Sequence, residues 1–272
     1  MRKLFPYLLA VAILGSSHFA LSQHTDRDSI DTFLKRSPFF TIFKDNYLIT
    51  GIPLGEKTNR HTADAKIQIS FKHRLTDAVL PFNTYVFITY TQKSFWSVYQ
   101  ASRPFSGSNY NPAIGLDKVI FLHGKYSGVF SIEFEHESNG RDSIYSREWN
   151  RITCAYATSL SKQTNVVLYA WVPFYYKIDN PDLIQYTGYG EVAFNWKSKN
   201  QNLELDVSAR KGARRDWTGS LQTQLSYRIA EKANQYISLQ WFTGYAENLI
   251  NYDHRTNMLR LGFVIKPSKF IN

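Results

Sequence analysis

From Asn46 to Pro267 apolar residues recur at every second position. Leu203, Leu205, Val207 and Ala209 alternate with Asn202, Glu204, Asp206 and Ser208. Leu221, Thr223, Leu225 and Tyr227 alternate with Gln222, Gln224, Ser226 and Arg228. Leu259, Leu261, Phe263 and Ile265 alternate with Arg260, Gly262, Val264 and Lys266. A period of two puts one set of side chains on each face of an extended strand, here one greasy and one largely polar. Twelve such segments are predicted, at 46–54, 65–75, 83–100, 112–121, 126–138, 147–160, 164–177, 185–198, 201–210, 217–229, 234–245 and 255–267. Many approach the ~10 residues a tilted strand needs to cross a bilayer. An even number closes into an antiparallel barrel with no free edge.

The connections alternate in length. Long polar links follow the odd-numbered segments, such as 54–64, 101–111, 139–148 and 244–255. Short ones follow most even-numbered segments, such as 123–125, 161–163 and 231–233; the link at 76–82 is an exception. Outer-membrane barrels have long outer loops and short periplasmic turns, and a soluble sandwich has no reason to alternate this way. The expected fold is therefore all-β, a transmembrane antiparallel barrel. The 18 Tyr, 19 Phe and 6 Trp agree, because aromatic girdles sit at both membrane interfaces.

Residues 1–22 read as a signal peptide. Arg2 and Lys3 precede an apolar run from Leu4 to Leu14, and Ala20-Leu21-Ser22 offers small residues for cleavage. Residues 23–45 mix charges with Phe33, Phe39 and Phe40 and read as a periplasmic lead-in; 46–272 form the barrel domain. The net charge of +10 is scattered, with only Arg210, Lys211, Arg214 and Arg215 close together. For an exported chain this favours contact with anionic lipid head groups over nucleic acid, and no nucleic-acid partner is expected. Cys154 is the only cysteine, so no internal disulfide forms.

One stretch carries chemistry: His136-Glu137-Ser138-Asn139-Gly140-Arg141, then Ser146-Arg147-Glu148-Trp149-Asn150-Arg151. Phe130, Ile132 and Phe134 share one face of their strand; Glu133 and Glu135 share the other. Two acids avoid lipid, so the Phe face is outside, and His136 and Ser138 continue its parity. On the next strand Asn150 has the parity of Ile152, Cys154 and Tyr156. The hairpin thus gathers a hydroxyl, an imidazole and a carboxamide on the lipid-facing wall. A Ser-His pair supplies nucleophile and base, and Asn orients the imidazole while staying neutral. Glu133 and Glu135 are read as lumen-facing ion-pair partners, and Trp96, Trp149, Trp171 and Trp241 as girdle residues. His61, His73, His123 and His254 lack the spacing of metal ligands.

The segment HESNGRDSIYSREWNR resembles the outer membrane phospholipase A family. TQKSFW (Thr91 to Trp96), DNPD (Asp179 to Asp182) with the following QYTGY, and GYAENLINY (Gly244 to Tyr252) extend the likeness over most of the chain after residue 22. The resemblance implies a twelve-stranded barrel and calcium-dependent hydrolysis of glycerophospholipid acyl esters. It implies Ser138 as nucleophile, His136 as general base, Asn150 as orienter and the Gly140 N–H as oxyanion donor. It implies a Ca2+ site from the Arg141 carbonyl, Ser146, Asp179 through water, and Ser102 across a homodimer interface that also holds Gln92. Membrane phospholipids would be the substrate, met at the outer leaflet of the outer membrane. Two features depart from the family: Glu137 replaces an Asp, and Arg103 stands beside Ser102. A non-enzymatic pore or structural barrel is the alternative reading.

Overall fold

The computed structural model describes residues 37–76, 80–123, 125–231 and 233–267. The proposed signal peptide lies outside them. The first seven strands are β1 (Phe40–Ile42), β2 (Asn46–Pro53), β3 (Asp64–Arg74), β4 (Thr84–Trp96), β5 (Phe105–Leu122), β6 (Lys125–Ser138) and β7 (Glu148–Ser159). The remaining six are β8 (Thr164–Phe174), β9 (Gly190–Lys197), β10 (Leu203–Lys211), β11 (Gly219–Arg228), β12 (Gln235–Gly244) and β13 (Thr256–Ile265). Neighbours pair antiparallel from β2 to β13, and β13 pairs back onto β2, so twelve strands close a barrel. β1 continues the β2 side of the sheet against the far end of β3. Between Ile42 and Tyr47 the chain advances five residues while β3 advances three, so Phe43 to Asp45 bulge out of the ladder.

The barrel is inverted relative to a soluble protein. Ser70, Ser226, Ser238, Gln240, Arg260 and Lys66 are buried inside, each at 1% exposure or less. Leu48, Ile69, Ile132, Phe134, Leu261 and Phe263 are exposed outside. Closure satisfies every ladder hydrogen bond between strands, which hydrocarbon demands because it offers no partners.

The interior is held by ions as well as hydrogen bonds. Arg260 grips Asp64 through Nε and Nη2, both at 2.8 Å, and Glu247 through Nη1 at 2.7 Å. Lys66 donates to Glu247 at 2.9 Å and to Gln240 at 2.8 Å. The cluster sets two basic side chains against two acidic ones. Glu247 belongs to the 245–255 loop, which therefore folds into the mouth. A cluster of Trp149, Trp171, Leu183, Ile184, Leu249 and Tyr252 packs there. Burial and the Asp182 carboxylate push the Tyr252 hydroxyl above its ordinary pKa.

Three details differ from the sequence reading. β5 begins at Phe105 rather than 112, so the loop before it is short. Ser106 to Asn111 has Tyr110 as its one large apolar residue, yet Gly107 to Asn111 pair in register with β4 and only Ser106 bulges out. The 185–198 segment starts as a short helix, α1 (Leu183–Thr187), and becomes a strand only at Gly190. Trp149 and Trp171 are 2% and 9% exposed and stack edge-on inside the mouth. They are not girdle residues; their strand parity points inward.

Replacing Glu247 by Ala leaves Lys66 buried without a counter-ion. We expect a loss of about 3–5 kcal/mol, read as a lower urea midpoint for the unfolding of the heat-modifiable gel form.

Candidate active site

The site is built on the β6–β7 hairpin. Ile132 and Phe134 point to lipid at 44% and 48% exposure, while Glu133 and Glu135 point inward at 6% each. His136 and Ser138 follow the outward parity. His136 is the direct cross-strand partner of Asn150. Its Nδ1 lies 3.0 Å from Asn150 Oδ1. With that oxygen as acceptor, Nδ1 carries the proton and Nε2 is left as a base. Ser138 stands two residues further along the same face, roughly 6.7 Å away along the strand. Among the described residues its hydroxyl makes no hydrogen bond.

Gly140 follows at φ +65. A Cβ there would sit 2.8 Å from the Tyr110 ring. Glycine is needed twice over, for the left-handed backbone and for the close approach of Tyr110 from β5.

The far side of the wall is clamped from the lumen. Glu137 points inward between His136 and Ser138. It accepts from Asn109 Nδ2 at 3.2 Å, Trp149 Nε1 at 3.0 Å and Arg151 Nη1 at 3.1 Å. Arg151 also makes a two-pronged bond with Glu135, at 3.1 and 2.6 Å, and lies 4.2 Å over the Trp149 ring. Glu135 is thus ion-paired in the lumen, as its parity predicts. Fork-to-carboxylate bonds of this kind fix geometry as well as charge. Sequence reasoning treated Glu137 only as a departure; its inward parity was the available signal.

Asn139 organises the 139–147 loop. It is 5% exposed. Its amide nitrogen donates to Tyr145 O at 2.7 Å, and Oδ1 accepts from the N–H groups of Arg141 and Arg147 at 3.2 and 3.1 Å. In the loop, Ser146 Oγ donates to Asp179 Oδ2 at 2.8 Å. The neighbouring Asn180 is fully buried, and its Oδ1 accepts from Glu148 N at 3.1 Å. Two loops, 139–147 and 175–189, are thus locked together beside the hairpin.

Two proposed calcium residues, Ser146 and Asp179, therefore touch. Arg141 sits in the same loop, its side chain reaching Ser106 O at 3.1 Å. Ser102 is exposed on the 97–104 loop and makes no bond to that pair. Gln92 lies on the outward face of β4, between Tyr90 and Ser94. Among the described residues no three His, Cys, Asp or Glu side chains gather as a metal cluster. The hydroxyl and carboxylate oxygens that do gather suit a hard cation rather than zinc.

A closed transmembrane barrel that carries a histidine–asparagine pair on its lipid-facing wall is an outer-membrane barrel with an unusual polar site. Comparison with known proteins agrees with that class. A family model described as phospholipase A1 matches residues 29–265. A putative phospholipase A1 of Neisseria meningitidis is 29% identical over 213 residues, covering 74% of this chain and 54% of that protein. Phospholipase A1 of Klebsiella pneumoniae is 29% identical over 216 residues, covering 76% of this chain and 72% of its own. This chain thus spans about half the length of the meningococcal relative. The outer membrane phospholipase dimer of Salmonella typhi, solved with bound calcium, superposes with a TM-score of 0.76 at 24% identity, over 87% of this chain and 96% of that one. The chain belongs to the phospholipase A1 family. That family is one of enzymes.

Asn139→Ala removes the bonds that close the 139–147 loop. We expect faster hydrogen exchange at the Arg141 and Arg147 amides, with a stability loss of about 1–3 kcal/mol.

Proposed function

We propose that this protein hydrolyses acyl esters of membrane glycerophospholipids, with Ser138 as nucleophile, His136 as base and Asn150 as orienter. The observation that carries the reading is the 3.0 Å contact between His136 Nδ1 and Asn150 Oδ1 on the lipid-facing wall. Polar groups are expensive there, and a fixed imidazole beside a free hydroxyl has a chemical use.

Asn150 holds the imidazole so that Nε2 faces the Ser138 side. Rotation of Ser138 brings Oγ to Nε2, and the hydroxyl proton passes to it as Oγ attacks the ester carbonyl carbon. The Gly140 N–H stabilises the developing oxyanion. Collapse breaks the ester bond, and His136 returns the proton to the leaving lysolipid oxygen. Water, deprotonated by His136, then releases the fatty acid from Ser138. Asn keeps the orienter neutral, where a carboxylate would be costly beside hydrocarbon.

Ser146, Asp179 and the Arg141 carbonyl would hold calcium, which when bound supplies a positive charge that polarises the ester. The Ser146–Asp179 contact supports that donor set. Ser102 would join from a second copy in a homodimer, with Gln92 at the interface. The long-loop rim, which carries all of these residues, would face the cell exterior, with residues 1–22 removed and 23–45 on the periplasmic side. Substrate would come from the outer leaflet, sideways from the membrane.

The test is fatty-acid release from phospholipid in mixed micelles. Ser138→Ala is expected to lower kcat at least about 10⁴-fold, and Asn150→Ala to lower it less. Chelation with EDTA is expected to abolish release, and added calcium to restore it. Asp179→Asn is expected to raise the calcium concentration needed for half-activity. Equal release from the parent and Ser138→Ala proteins would end the proposal. Stable conductance in planar bilayers would instead favour the pore.

A further inference from the structure

The basic cluster near residue 211 plays no part in the chemistry above, and it borders a broad groove. That groove, of about 1000 Å3, is lined by residues of β8 to β12 and the 212–218 loop. Leu168, Val192, Ala209, Lys211, Leu221 and Thr243 of its lining have lipid-facing parity, and they alternate with the inward Tyr169, Glu191, Arg210 and Ser220. Its floor follows from register. One cross-strand row runs Leu168, Val192, Ala209, Leu221 and Thr243. The next row towards the rim runs Ala170, Gly190, Lys211 and Gly219, and Tyr245 N donates to Gly219 O at 3.0 Å. A lone cation therefore stands outward between two glycines, with an alanine beneath it. The missing side chains make the dent.

The edges are charged and aromatic. Lys211 Nζ donates to the Gly212 and Arg214 carbonyls at 2.8 and 2.7 Å, so it holds the loop and keeps its charge unneutralised. Arg214 is matched by Asp216 at 3.1 Å. Among the described residues Lys211, Arg215 and Arg255 have no acidic partner. Arg255 is exposed and lines the groove. Trp217, 98% exposed, hangs over the groove from the loop. A fully exposed Trp on the rim of a membrane barrel belongs at the head-group level.

We propose that this groove binds lipid A, the phosphorylated glycolipid of the outer leaflet. Its acyl chains would lie over Ala209 and the two glycines, and its phosphates would meet Lys211 and Arg255. Several unmatched cations beside one broad apolar dent call for an amphiphile with several chains and more than one phosphate. A diacyl phospholipid offers one phosphate. The groove starts at β8, beside β7, but Ala209 and Lys211 on β10 lie three strands round the barrel from β7, away from the catalytic hairpin. The inference rests on the long-loop rim facing the exterior.

The full chain, refolded in detergent micelles, is titrated in native mass spectrometry with bisphosphoryl lipid A, monophosphoryl lipid A and phosphatidylglycerol in separate arms. The expected order is bisphosphoryl, then monophosphoryl, with phosphatidylglycerol weakest by at least about tenfold. Lys211→Gln with Arg255→Gln, and separately Ala209→Phe, are each expected to weaken bisphosphoryl lipid A at least about tenfold. Phospholipid hydrolysis in micelles free of lipid A should be unchanged in these variants, which shows that the barrel is intact. Arg255→Gln alone serves if the double variant fails to refold. Undiminished binding by the variants, or phosphatidylglycerol binding as tightly as lipid A, would overturn the proposal. The binding arms read out whether or not Ser138 is the nucleophile.

Discussion

Hydrocarbon accepts no hydrogen bonds, and this single fact organises the molecule. Every strand must find a partner on both sides, so twelve strands close on themselves. Every outward side chain must be apolar or have a reason not to be. Most obey, from Leu48 on β2 to Phe263 on β13. The exceptions then stand out. Among them, His136, Ser138 and Asn150 break the rule on one hairpin, Gln92 and Ser94 on β4, and Lys211 on another wall.

The polar groups displaced from the outside are concentrated within, and they do structural work for the site. Arg151 and Glu137 clamp the hairpin from behind, directly under the outward histidine and serine. Asn109 joins Glu137 to the backbone of Leu249, 3.1 Å away, and so to the loop that Glu247 anchors on Lys66 and Arg260. The chain of contacts runs from the barrel's central ion cluster to the rear of the β6–β7 hairpin. A positioned imidazole needs such a backing, because a drift of about 1 Å is costly to any reaction it serves.

Much of this was legible in the sequence, because parity is local. Alternation gave the strand count, the facing of Glu133 against Phe134, and the clustering of His136 with Asn150. Where a strand lacks a greasy face, the signal failed: Ser106 to Asn111 hid the start of β5, although Ser108 and Tyr110 pair with Ser94 and Gln92. Contacts between distant loops left no pattern either. Nothing in Glu247 alone announces Lys66, 181 positions away. Trp149 and Trp171 were misjudged by residue type, when their parity already placed them inside.

The filled interior has a kinetic corollary. Among the described residues, Lys66, Arg260, Gln240 and the aromatic plug are buried within the bore behind the barrel wall. A molecule that reaches the outward face of the hairpin from the membrane travels within the plane of the bilayer. Encounter is then governed by mole fraction in two dimensions rather than by bulk molarity. Diluting a lipid with inert neighbours slows such a protein, even when the amount of lipid in the flask is unchanged.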